Sequence, residues 1–211
     1  MPRATRSLFA RPWFLLLLAL LLLPFVALTL FAQPAIDYDN AAVVARLGRW
    51  GAQWYWYQHW SGRFVAIGAS TLANPLSYGP RPGDAPTGLW VLRGILLGLL
   101  LSYVLVQQQL WRALLPVLRQ VPARSVTWGL GLAGTALGMN ALSEPFTLLY
   151  WYSGAVNYLL PLLCALGFIA AALRALQLPP GAARRGWAGA AALALVGAVG
   201  GGEITLLTRK C

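Results

Sequence analysis

Between Trp13 and Phe31 the chain runs 19 residues without a charge. Crossing about 30 Å of hydrocarbon as a helix takes about 20 apolar residues. Four more apolar stretches of similar reach follow, over about 88–106, 126–142, 156–176 and 187–207. In lipid each segment must satisfy its own backbone N–H and C=O groups, so these runs are expected to be helices. The composition agrees: 59% of the 211 residues are hydrophobic and 10% charged, with mean hydropathy +0.64, too little charge to cover a soluble domain. The expected fold is an all-α membrane protein, a single polytopic domain over 1–211. It has about five transmembrane helices and an outer loop over 32–87 that carries an interfacial amphipathic helix.

The net charge of +11 suggests a nucleic-acid partner only if the cations form a patch, and they do not. They flank the apolar runs instead, which is how positive-inside anchoring works. Arg3, Arg6 and Arg11 precede the first run, Arg112, Arg119 and Arg124 fall between the second and third, and Arg184 and Arg185 precede the fifth. This spacing places the N-terminus and those links on the cytoplasmic side of the membrane. A secretory signal peptide has a similar basic start, but its apolar core is about 7–15 residues and ends at a cleavage motif, so an uncleaved first span bent at Pro24 is preferred. With this topology Asp37, Asp39, Asp84, Glu144 and Glu203, all five acidic residues, fall on the extracytoplasmic side. Topology follows Lys and Arg and largely ignores Asp and Glu, so that sorting is informative.

The long polar interval Ile36–Arg63 holds two of those acids, the only histidine and six Trp and Tyr residues between Trp50 and Trp60. Val43, Leu47, Trp50, Trp54 and Tyr57 recur at helical spacing, with Arg46, Arg49 and Gln53 on another face. Such a helix suits the membrane interface, where it serves either as an anchoring belt or as the floor of a site.

Chemistry has few places to reside. Asp37 and Asp39, two apart, can converge on a hydroxyl as general base or lend oxygens to a Mg or Mn ion, or they form a solvated turn or an N-cap at Asp39–Asn40. Arg63 suits a phosphate, and His59 can share that role or move a proton; ordinary interfacial anchoring is the alternative. Arg93 lies inside the second run, where it snorkels or faces a polar cavity. Glu144 ends the third run, and Tyr152 and Asn157 follow in an aromatic segment that either contacts substrate or forms another interfacial belt. Glu203 follows three glycines, which permit close packing or a broken helix. Neither cysteine has metal-ligand spacing, and the phosphate-loop, GxSxG and HExxH patterns are absent.

An N-terminal span running into an outer loop with Asp37-Tyr38-Asp39 and an amphipathic helix resembles the opening of the membrane-embedded GT-C type glycosyltransferases. More narrowly, WSGRF at Trp60–Phe64, YWYSGAVNYLLPL at Tyr150–Leu162 and GGGEITLL at Gly200–Leu207 resemble segments of a related uncharacterised bacterial multi-spanning family. The resemblance implies transfer of a sugar from a polyprenyl-phosphate carrier on the extracytoplasmic side. Asp37 and Asp39 would be the catalytic or metal-binding carboxylates. Arg63 would meet the carrier phosphate, and His59, Arg93, Glu144, Tyr152, Asn157 and Glu203 would contact substrate. Membrane lipid and the lipid-linked sugar are the implied partners. Such enzymes have more spans than the five read here, which implies the N-terminal part of a larger fold. A non-catalytic transporter, flippase-like or structural membrane protein is the alternative.

Overall fold

The computed structural model describes residues 11–33, 35–59, 63–78, 86–121, 123–141, 147 and 149–201. Asp84, Glu144, Glu203 and the Trp60–Gly62 part of WSGRF lie outside them. Every regular element among the described residues is helical. In chain order they are α1 (Pro12–Leu20), α2 (Leu23–Leu30), α3 (Ala35–His59), α4 (Phe64–Leu72), a 3₁₀ turn (Pro75–Tyr78), α5 (Pro86–Val117), α6 (Arg124–Asn140), α7 (Tyr152–Gln177) and α8 (Ala182–Gly201).

Among the described residues two helices are long and apolar enough to cross a membrane: Gly88–Val117 within α5 and α7, each with hydropathy 2.2. A third is added if α1 and α2, bent by 41°, count as one broken span. The bend has a covalent cause. Pro24 has no N–H for the Leu20 carbonyl four residues back, and its ring crowds that carbonyl. α6 has 17 residues, and α8 carries Arg184, Arg185 and five glycines in its 20, so neither joins the two by length and hydropathy together.

α5 corrects one expectation. The segment after 106, expected to be a link, continues as helix to Val117, because Gln107–Leu115 contains no helix breaker. The helix ends where Arg119 turns left-handed (φ 55°) and the Gln120 N–H reaches back to the Leu115 carbonyl at 2.8 Å. α3 is likewise not one continuous helix. Gly48, at φ 70° and ψ 167°, breaks it in a backbone region essentially reserved for glycine. The apolar stripe is thereby divided, with Val43 and Leu47 before the break and Trp50, Trp54 and Tyr57 after it.

The chain packs as two compact units. One comprises the described residues of 1–26, 100–145 and 163–195. Its core sets Leu115 against Val126 and Leu130, with Trp111 alongside. α5 and α6 approach closely there: a Cβ on Gly131 would stand 3.0 Å from the Gln108 backbone. Gln177 donates to the Ala113 carbonyl at 2.6 Å, which fixes the end of α7 to α5.

The other unit comprises the described residues of 27–99, 146–162 and 196–211. Ala32, Ala41, Leu76, Leu92, Leu96, Tyr152, Ala155 and Val156 form its core.

Candidate functional site

The second unit is organised around Asp37. On α3, Asp37, Asn40, Ala41 and Val44 recur at helical spacing and are buried, Asp37 completely (0% exposed). Its carboxylate faces the start of α7. That helix begins after Trp151, a residue in extended conformation whose side chain does not cap the helix. The first N–H groups of any helix lack intrahelical acceptors. Asp37 supplies them from elsewhere in the chain: Tyr152 N–H donates to Oδ2 at 2.9 Å and Ser153 N–H to Oδ1 at 2.8 Å. A negative group at this positive helix end is also favoured electrostatically. Burial nevertheless raises the Asp37 pKa above the usual carboxylate value; hydrogen bonds from the Ser153 side chain and from the two backbone amides oppose this rise.

Asn74, which the sequence reading passed over, joins the same cluster. Its Nδ2 donates to the Asp37 carbonyl at 3.1 Å, and its Oδ1 accepts the Leu76 N–H at 3.0 Å. The second bond is an Asx turn, for which Asn74-Pro75 is a sequence signal. Tyr152 adds a third connection, its hydroxyl donating to the Ala69 carbonyl at 2.9 Å. Gln53 ties α3 to α4, accepting from Thr71 at 2.8 Å and donating to the Phe64 carbonyl at 3.2 Å.

The segments singled out earlier acquire physical roles. A Cβ on Gly154 would fall on the Thr147 carbonyl oxygen, so only glycine fits there. Asn157, buried, donates to the Ser153 carbonyl at 2.7 Å within a π-helical stretch, Ala155–Leu159. Such bulges are frequent at functional sites. Arg63 lies over the Tyr158 ring, 5.3 Å from its centroid. Cβ atoms on Gly200 and Gly201 would stand 2.5 Å from Phe64 and Pro161, so these glycines let α8 approach the same segments closely.

Other expected residues stand apart. Asp39 is two positions from Asp37, about 200° around the helix, and is exposed while Asp37 is buried. The pair therefore does not converge. Nor does it fit a Mg or Mn site, since the Asp37 oxygens already accept two N–H groups and no group of three metal-type side chains occurs among the described residues. Asp39–Asn40 is not an N-cap either, because α3 begins at Ala35. His59 is exposed, stacks on Tyr55 at 4.5 Å and has Nδ1 2.8 Å from the Tyr55 carbonyl. The tautomer with its hydrogen on Nδ1 satisfies that contact and leaves Nε2 as an acceptor. Arg93 donates to the Ala32 carbonyl at 3.4 Å and lies 5.0 Å from the Trp90 ring centroid.

Comparison of the chain with protein-family models, curated proteins and solved structures finds no match in any of the three.

Proposed function

We propose that this chain is a glycosyltransferase-like multi-pass protein of a bacterial inner membrane that handles a polyprenyl-phosphate-linked sugar on the extracytoplasmic side. One observation supports this above others. Arg63–Phe64, the Tyr152–Pro161 segment and Gly200–Gly201, which carry the sequence resemblance, pack against one another within the compact unit that contains Asp37. The N-terminus is cytoplasmic in this proposal, and α6 and α8 complete five spans. The second half of α3 lies in the interface, which accords with Trp50, Trp54 and Tyr57 being 76%, 60% and 47% exposed.

Asp37 acts as a positioning residue here, since its oxygens are engaged. The exposed Asp39 is the base: an acceptor hydroxyl attacks the anomeric carbon, its proton passes to Asp39, and the carbon–oxygen bond to the phosphate breaks. Polyprenyl phosphate leaves with the electron pair, and Arg63, with His59 nearby in sequence, stabilises its charge. The test is release of polyprenyl phosphate from a lipid-linked sugar by the protein in vesicles. The native chain should turn over, while Asp39→Asn and Arg63→Gln should lose about a hundredfold or more in rate. Undiminished turnover in both variants would refute the assignment of roles.

A non-catalytic scaffold or transporter also has an observation in its favour: Asp37 and Arg93 both bond to backbone groups of the protein itself. In that case no turnover of the lipid-linked sugar occurs in the same vesicles.

A further inference from the structure

The unit that lacks Asp37 contains a cavity of about 330 Å³ between α5 and α6, lined by Leu105, Gln108, Gln109, Arg112, Arg124 and Trp128. We propose that this cavity binds a phosphate-type anion. The expected source is the headgroup of an anionic phospholipid at the membrane surface, and free phosphate is the competing source of the same chemistry.

The charge balance is one-sided. Among the described residues this unit has no Asp or Glu, whereas Arg112 and Arg124 both line the cavity. Arg174, near the end of α7, is within electrostatic reach of Arg112, so a third cation from a third helix adds to the same field. α6 starts here behind Ala123, whose side chain offers no cap, and its positive helix end has the same sign. Two arginines lining one cavity, with a third in reach of Arg112 and no described carboxylate in the unit, favour an anion from outside the chain. Guanidinium groups match phosphate oxygens in fork geometry.

The walls are fixed. Gln108, buried, donates through Nε2 to the Thr127 hydroxyl at 3.2 Å, and that hydroxyl donates to the Arg124 carbonyl at 2.9 Å. Gly131 permits the close approach of α6 to Gln108. Depth agrees with a headgroup as well. Arg112 is 24 residues beyond Gly88, about 36 Å along the helix, which exceeds the hydrocarbon thickness of about 30 Å. Arg174 is 22 residues beyond Tyr152, about 33 Å. Basic pockets between spanning helices at this depth take anionic headgroups, while Leu105 and Trp128 offer apolar surface to the attached chains.

The experiment uses the full chain in nanodiscs of phosphatidylcholine, titrated with phosphatidylglycerol or inorganic phosphate, with bound lipid counted by native mass spectrometry. Native protein should retain phosphatidylglycerol over phosphatidylcholine, and Arg112→Gln/Arg124→Gln should weaken that retention about tenfold or more. Arg184→Gln/Arg185→Gln, at the start of α8, should leave it unchanged. Displacement of the lipid by millimolar inorganic phosphate identifies the phosphate group as the recognised part; phosphate binding without lipid retention assigns the cavity to free phosphate. Absence of any preference in the native chain overturns the proposal without reference to variants that could misfold. Equal losses in the two double variants overturn it too, since diffuse surface charge would then be the cause.

Discussion

The Asp37 carboxylate accepts the Ser153 N–H at 2.8 Å from 116 positions away in the chain. With the companion bond from Tyr152 it performs the work of an N-cap, although the residue preceding α7 is a tryptophan. A helix that starts at Tyr152 thus depends on α3 for the satisfaction of its first turn.

Asp37→Ala should therefore lower stability far more than a surface change. Two buried amides lose their acceptor, at about 1–3 kcal/mol each. Thermal unfolding in detergent should show a large drop, while Asp39→Ala, on the exposed face, should stay within about 0.5 kcal/mol. Equal melting of the two variants would contradict the capping role.

The same carboxylate should give stability a recognisable pH dependence. Its folded pKa is raised above 3.8, so the folded chain holds this proton at higher pH than the unfolded chain does. The stability linked to that proton is fully present below the unfolded value and is lost as pH rises through the folded value. Melting measured from about pH 3 to about pH 7 should show this fall in the native chain relative to Asp37→Asn. A constant difference between the two across that range would rule out Asp37 as the source.

Gly154→Ala should disrupt the α7 start. The added methyl would occupy the Thr147 carbonyl oxygen, and backbone cannot rotate aside as a side chain can. Loss of folded protein, or a melting drop beyond the about 1–3 kcal/mol typical of overpacking, is expected. Gly98→Ala, where a Cβ meets nothing within 4 Å, is the control and should be neutral.

Trp50 and Trp54 should report on lipid. Both are largely exposed, and Trp54 stacks on Tyr57 with centroids 5.9 Å apart. In vesicles containing brominated lipid, the native chain should lose more tryptophan fluorescence than Trp50→Phe/Trp54→Phe does. Identical quenching would place this face away from lipid.

Several features were readable in the sequence because their causes are local. The charge-free run ending at Phe31 is helical, and Pro24 bends it, because a missing N–H acts on the carbonyl four residues earlier. The exposed aromatic spacing after Gly48 follows from helical period. The break at Gly48 was signalled only by the residue type, which is tolerated inside many helices. The continuation of α5 through Gln107–Leu115 was missed because polar residues suggested a link, whereas a helix leaving the hydrocarbon needs no breaker. The site was less legible. Asp37 and Asp39 look alike in sequence, and what separates them is a partner more than a hundred residues away. The Asn74-Pro75 pair signals only the local turn to Leu76, while the bond from Asn74 to the Asp37 carbonyl depends on packing.

The distance between Asp37 and its partners also sets a timetable. A ribosome adding about 5–20 residues per second needs roughly 6 to 23 s to proceed from residue 37 to residue 152, 115 positions on. Throughout that interval α3 has been synthesised and its carboxylate has no α7 to cap. α3 therefore precedes its partner by that interval, until the later span is delivered. Assembly of this unit is closed by its last-made helices rather than its first.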